Sequence, residues 1–253
     1  MIGDSHAASY GEGCFNAGSA KATMGTGCSI LMNIGPEPRP SNGGMVTTIC
    51  WSTEDKVQYA LEGVIVSCGS TLEWLRNELL LFADSKQTAA MATAVEDNGG
   101  VYLIPAFSGL GAPYWDMNRK ASLTGLTFGT NKNHIVRAAL ESIAYQIKDV
   151  IAAMESDTGV ELQQLMVDGG VSSNEFVMKF LSDLLEKPVI NIGIPDVSAL
   201  GAAYLAGLRA GIFSHEQLIQ PGTERKVFQP SGQKLRHWYE AWTMAVNGNN
   251  ILT

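Results

Sequence analysis

The chain has 253 residues, 45% hydrophobic and 17% charged, the balance of a soluble globular protein with one large core. A formal net charge of -8 argues against the basic face that nucleic-acid binding uses. Gly, Ser, Glu or Lys interrupts every apolar run before it reaches membrane-spanning length. Met1-Ile2-Gly3-Asp4 has neither the basic start nor the apolar stretch of a secretory signal. The cysteines Cys14, Cys28, Cys50 and Cys68 form no C-x-x-C pair, so reduced, partly buried thiols of a cytoplasmic protein are expected.

In chain order, Asp4 is followed by the helix-compatible Ser5-His6-Ala7-Ala8. Ala20 to Met24 and Ser29 to Ile34 read as strands joined by a tight hairpin at Gly25-Thr26-Gly27. Thr47 to Trp51 and Val57 to Leu61 suggest two more. Leu72, Leu75, Leu79 and Phe82 recur at helical spacing, which predicts a helix from about Gly63 to Ala83. A short helix over Thr88 to Val95 precedes a strand, Val101 to Phe107, that enters the Gly- and Pro-rich loop 108–113. Ser122 to Phe128 alternates like a strand. Asn133 is the expected N-cap of a long helix from His134 to Glu155 with an Ile-rich stripe. Strand Leu165 to Val167, the Gly169-Gly170 turn, helix Asn174 to Leu185, strand Val189 to Ile192 and helix Ala199 to Ala210 follow. That alternation predicts a layered α/β domain over 1–213. Beyond Gly211 the pattern decays into a tail, 214–253, with one helix over Gln233 to Val246 docked through Trp238 and Trp242. Met24, Met32 and Met45 read as core fillers. Tyr114-Trp115 reads as a packing anchor, His134 as a helix-start residue, and His215 and His237 as surface residues.

Three places could carry chemistry. Asp168-Gly169-Gly170 lies between a strand and a helix capped by Ser172, Ser173 or Asn174. Paired glycines there admit a ligand to the backbone, and the helix start favours an anion; an ordinary turn is the equal alternative. Lys21-Ala22-Thr23-Met24-Gly25-Thr26-Gly27 puts a hydroxyl and bare N–H groups at a hairpin tip, where phosphate oxygens could rest, although a plain turn is commoner. Asp4 could accept a proton from an attacking hydroxyl, or simply cap a helix. None of these is a Walker loop or a dinucleotide fingerprint.

Read together, the ordered series changes the balance. Gly3-Asp4, Gly25-Thr26-Gly27, the stretch from Pro105 to Trp115, Val167-Asp168-Gly169-Gly170 and Ser198-Ala199-Leu200-Gly201-Ala202-Ala203 resemble the FGGY family of carbohydrate kinases, in particular its glycerol-kinase and xylulokinase branches. The stretch from Gly125-Leu126 through His134-Ile135 to Glu141 also looks like that family's downstream signature. The resemblance runs from Gly3 to about Phe213 and implies an α/β fold of the ribonuclease H-like, actin-like ATPase type, a mixed sheet with helices on both faces. It implies an ATP-dependent sugar or polyol kinase, with Mg2+, of which this chain corresponds to the second, nucleotide-binding domain. Asp4 matches the family's catalytic base. Gly25, Thr26 and Gly27 match the phosphate hairpin, Gly69 a backbone position near the nucleotide, and Gly169, Gly170 and Asn174 the adenosine turn and an adenine contact. No metal ligand is assigned to this half.

Departures from the family pattern bear on the substrate. Ser5 stands where the glycerol enzymes place an amide, and Ser29 where they carry an aromatic wall, so a wider, wetter pocket is expected, as well suited to a tetritol, pentitol or ketopentose as to glycerol, with Asp4, Ser5 and Ser29 touching it. Glu73 replaces a common Gln and either lies near the nucleotide or pairs with Arg76. The family's first domain, with its own phosphate hairpin and most sugar contacts, is an expected partner, and the open cleft should favour self-association. Alternatives are a non-catalytic actin-like module, a truncated relic, or a sugar-binding regulator, which would need a DNA-binding segment not read here.

Overall fold

In the computed structural model, which describes residues 2–212, 214–218 and 225–248, the chain is built on a mixed sheet of seven strands. Strands β1 (Ser19–Met24) and β2 (Cys28–Gly35) form an antiparallel hairpin in which Met24 pairs with Cys28 across Gly25-Thr26-Gly27. β3 (Val46–Ser52) and β4 (Val57–Ile65) extend that half in antiparallel fashion. β5 (Tyr102–Ile104) and β6 (Ser122–Thr124) form a separate two-stranded ladder. β7 (Gln164–Asp168) and β8 (Val189–Asn191) add to β1 in parallel, and β9 (Lys226–Phe228) closes the edge antiparallel to β8. The order is β3-β4-β2-β1-β7-β8-β9.

Strand alternation sorts the side chains into two faces. Ala20, Ala22, Met24, Ile30 and Met32 enter the main core, where helices α4 (Lys132–Thr158) and α5 (Glu175–Leu185) cover them. Leu31 and Ala60 point to the opposite face and pack with Tyr10 of helix α1 (Asp4–Gly11) and with Tyr204, Leu205 and Leu208 of α6 (Val197–Arg209). Helices thus cover both faces. The two on the second face touch through glycine: a Cβ on Gly201 would overlap the backbone carbonyl of Ala7, so α1 is held close to α6 and its first turn is placed firmly.

α4 is the central strut. Ile143, Ile147 and Ile151 are each no more than 1% exposed, and burial of such side chains stabilises by about 1.5–3 kcal/mol each. Its Arg137 is buried, pairs with Glu141 at 2.7 Å, and donates to the carbonyls of Val95 and Glu96 at 2.8 and 2.9 Å. Beyond α6 come a short helix α7 (His215–Leu218) and helix α8 (Arg236–Val246). Asp149 accepts from Tyr114 Oη at 2.8 Å and from Tyr239 Oη and Trp242 Nε1 of α8 at 2.7 and 2.8 Å. Burial pushes the Asp149 carboxyl up to about 6, against the opposing pull of the three donors. Through this carboxylate α8 docks, with Trp242 fully buried.

Several boundaries differ from the sequence reading. The residues expected to open a helix at Gly63 remain in β4, where Gly63, Val64 and Ile65 pair with Ile30, Ser29 and Cys28. Helix α2 runs only over Gly69–Asn77, because Leu80 turns left-handed at φ 52° and leaves Leu79 and Leu80 exposed. The long helix is capped by Asn131 rather than Asn133: Asn131 Oδ1 accepts from Asn133 N at 2.9 Å, and His134 Nδ1 accepts from Asn131 N at 3.2 Å. It ends at Thr158, where Gly159 takes a left-handed backbone. In the tail, β9 was unforeseen, since three residues are too few to show a pattern. The helix α3 (Thr88–Thr93) and the buried, core-packed Met24, Met32 and Met45 agree with the reading. His237 is exposed, whereas Phe213 and the side chain of His215 lie outside the described residues.

Candidate functional site

The hairpin tip, the start of α2 and the turn after β7 converge on one cavity of about 750 Å³. Gly25 and Thr26, Gly69 and Glu73, and Gly170 and Asn174 all line it. These are six of the eight residues assigned to a nucleotide from sequence. Hydrogen bonds fix the first junction: Cys68 N and Ser70 N donate to the Thr26 carbonyl at 2.9 and 3.1 Å, and Gly69 N donates to the Gly25 carbonyl at 2.9 Å. In a trans peptide the carbonyl and the following N–H point opposite ways. Anchoring these carbonyls on α2 therefore turns the N–H groups of Thr26 and Gly27 away from it, as an anion-binding turn requires.

Gly27 and Gly169 do not line the cavity; they hold its walls together. Gly169 has φ 85°, and a Cβ there would come within 2.6 Å of the Met24 carbonyl oxygen and 2.9 Å of its nitrogen. Gly170 has nothing near its absent side chain, which leaves that backbone open to a ligand. Of the three candidate caps, Asn174 is the one used. Its Oδ1 accepts from Val177 N at 3.2 Å, and its Nδ2 donates to Thr88 Oγ1 at 2.9 Å, tying α5 to α3. Glu73 lines the cavity and is also ion-paired with Arg76, so both readings of that residue hold.

Sequence reasoning missed the far wall, Ser85, Lys86, Thr88, Ala89 and Ala90. Asp84 caps a 3-10 turn here, accepting from Lys86 N at 2.9 Å, while Gln87 Oε1 accepts from Ala83 N at 3.2 Å. The Asp84-x-x-Gln87 spacing is a capping-box pattern and was the available signal.

Asp4, Ser5 and Ser29 lie outside this cavity, on the α1 side of the same hairpin. Asp4 is exposed and opens α1 as its first residue, after Gly3. Its Oδ1 accepts from Ser5 N at 2.7 Å, and its carbonyl accepts from Ser198 Oγ at 3.0 Å. The Ser5 and Ser29 hydroxyls are 3.3 Å apart, which brings the helix start against β2.

Beneath both regions lies a buried polar group that the sequence reading did not single out. Lys21, 1% exposed, donates to Thr23 Oγ1 at 2.7 Å. Thr23 pairs across the ladder with Asp168. Glu12 is 1% exposed, and neither of its carboxylate oxygens has a hydrogen-bond partner. Burial, and secondarily the negative Asp168, hold the Glu12 carboxyl well above the usual range, with Lys21 opposing. All four cysteines are buried free thiols, pushed up chiefly by burial. Among the described residues, no group of three or more His, Cys, Asp or Glu could hold a metal ion. Also among them, no helix is long and apolar enough to cross a membrane.

A mixed sheet with helices on both faces and a glycine-walled cavity at one end of a hairpin defines an actin-like ATPase domain. The model of the FGGY family of carbohydrate kinases, C-terminal domain, matches residues 20–210, and the chain belongs to that family. Glycerol kinases from Thermoanaerobacter pseudethanolicus and Clostridium perfringens strain 13 are 49% and 50% identical to it over 247 and 249 residues. Each alignment covers 96% or 97% of this chain and 50% of the relative. The crystal structure of Plasmodium falciparum glycerol kinase with ADP superposes with a TM-score of 0.91 at 36% identity, covering 100% of this chain and 51% of that one. A ligand-bound xylulose kinase from Lactobacillus acidophilus shares the fold, with a TM-score of 0.82 at 21% identity over 98% of this chain and 51% of its own. The chain thus spans about half the length of the curated relatives it matches.

Proposed function

We propose that this chain is the nucleotide-binding half of an ATP-dependent sugar or polyol kinase, which transfers the γ-phosphoryl group of ATP to a substrate hydroxyl. The observation that carries the reading is the convergence of Gly25-Thr26, Gly69 and Gly170 with Asn174 on one cavity, one hairpin away from Asp4. In this reading Thr26 and its flanking glycines hold the phosphates, and Gly169, Gly170 and Asn174 hold the adenosine. Asp4 takes the proton from the attacking hydroxyl, with Ser5 and Ser29 beside it. Phosphoryl transfer depends on positioning and charge stabilisation more than on covalent chemistry, and backbone turns with one base supply those.

The first domain of the family is the proposed partner, closing the cleft and excluding water. The exposed apolar Val46, Ile49 and Val64 give it, or a second copy of this chain, a surface to cover. Mg2+ would accompany ATP, with ligands beyond those described here. Buried free thiols fit a reducing compartment, so we place the protein in the cytoplasm.

The test is calorimetric titration with ADP and ATP, followed by an assay for ADP release with a mixture of polyols and ketoses. The assay is run with and without a separately produced first domain. Saturable nucleotide binding and substrate-dependent ADP release on mixing support the reading. Binding without release under any condition would favour a non-catalytic module, and no binding would remove the assignment.

A further inference from the structure

Resting on the kinase reading, we infer that the buried Lys21 is a positioning residue for the nucleotide phosphates. Its ammonium is held behind the hairpin tip, where it offsets Asp168 and the charge that the phosphates bring. The argument starts from sheet register. Lys21 pairs with Leu31 and Met166, and Thr23 pairs with Ser29 and Asp168. Residues directly opposite one another share a face. Leu31 packs with Tyr10 of α1, and Met166 packs with Ala8, so the whole set stands on the α1 side of the sheet. α1 closes over it with Glu12, the residue at its C-terminal end.

The row Asp168-Thr23-Ser29 meets every part of the proposed site. Asp168 leads into Gly169-Gly170, and Thr23 leads through Met24 into Gly25-Thr26. The Ser29 hydroxyl lies 3.3 Å from that of Ser5, next in chain to Asp4. Lys21 stands one row lower and donates to Thr23 Oγ1 at 2.7 Å. An extended chain spans at most about 3.5 Å per residue, so the Thr26 backbone is within about 10 Å of the residue that Lys21 holds. The Lys21 charge is felt there: burial and then Cys68 push the Cys28 thiol up, and Lys21 pulls it down.

The surroundings leave that ammonium available to a ligand. Glu12 Oε1 and Oε2 and Asp168 Oδ1 are buried without a hydrogen-bond partner, and among the described residues Lys21 forms no ion pair. For stability alone, such an unjoined set of buried charges is a poor solution. Arg137, the other buried cation among the described residues, is taken up by Glu141 and by the carbonyls of Val95 and Glu96. The cavity wall itself sets Lys86 against Glu73 and Glu175. A polyphosphate at the tip therefore has Lys21 as a fixed positive charge behind it. Salt screens a buried charge poorly, and over about 10 Å it still acts on an anion.

The test is calorimetric titration of this chain with adenosine, ADP and ATP. Lys21→Met should bind adenosine within about twofold of the parent, ADP about 3- to 10-fold more weakly, and ATP about 10- to 50-fold more weakly. That gradient separates charge from fold, because a merely loosened hairpin would weaken all three alike. Lys21→Arg should recover part of the loss. Asp168→Asn keeps the ammonium and removes the carboxylate it faces, so ATP should bind about 3- to 10-fold more tightly with adenosine unchanged. Equal losses on the three ligands, or no loss, in Lys21→Met would overturn the inference and leave the kinase reading intact. If Lys21→Met does not fold, an Asp168→Asn chain that binds ATP no more tightly than the parent overturns it instead. A parent chain that binds neither ADP nor ATP would sink the kinase reading itself.

Discussion

On one side of the β1–β2 hairpin the cavity is walled largely by backbone: the tip at 25–27, the start of α2 and the turn at 169–173, joined by main-chain hydrogen bonds. On the other side, the face ahead of α1 carries its character in side chains, Asp4, Ser5, Ser29 and Glu62. The two are built under different constraints. A backbone wall tolerates little, because glycines fill positions where a Cβ would meet a main-chain atom. A side-chain wall can be exchanged residue by residue without disturbing the ladder beneath it. One scaffold can thus keep its backbone-walled cavity while the side chains on its other face change.

Asp4→Asn should separate the two sides most sharply. Turnover of the completed enzyme is expected to fall by about 10²- to 10⁴-fold, the usual contribution of a general base, with ADP affinity unchanged by calorimetry. Gly169→Ala should do the reverse. A residue forced to φ 85° against the Met24 backbone costs about 1–3 kcal/mol in strain alone, so urea denaturation should show that loss together with weakened ADP binding. If Gly169→Ala binds ADP normally and melts like the parent, the backbone-wall account fails.

A milder test is Asn174→Ala, which removes the α5 cap and the bond to Thr88. Losing such a cap costs about 1 kcal/mol, and ADP affinity should drop while the preference among polyols stays the same. The smallest effect concerns the layer between the two sides. The Glu12 carboxyl is raised in the fold by burial first and by Asp168 second, so the folded chain holds a proton that the unfolded chain releases. The associated stability is complete below the ordinary carboxylate value of 4.5 and is lost as pH rises through the higher folded value. Glu12→Gln should therefore lose less melting temperature than the parent between pH 5 and pH 8. Parallel curves for the two proteins would show that Glu12 does not carry this proton.

Much of the backbone wall was legible in the chain, because glycines at strand ends advertise their own geometry. The G-T-G tip and the paired glycines at 169–170 fall where the reading placed them, and Asn174 is the cap among the three candidates offered. The far wall at Ser85–Ala90 was not legible, because a three-residue 3-10 turn between two helices is too short to carry a periodic pattern. The helix expected from Gly63 shows the other failure. Leu72, Leu75, Leu79 and Phe82 have helical spacing, but Val64 and Ile65 are claimed by Ser29 and Cys28 of β2, and a window of local sequence cannot detect a partner so far back along the chain.

The amino-acid sequence by itself determined the α/β alternation, the family, the glycine turns and the Ile-rich stripe of α4, because each is a local pattern or an ordered set of short motifs. Only the tertiary structure decided that Glu62 shares a face with Ser29, that Glu12, Lys21 and Asp168 lie together beneath the hairpin, and that Asp149 anchors α8. Those groupings follow from ladder register and helix docking, and the contacts that create them join residues far apart along the chain.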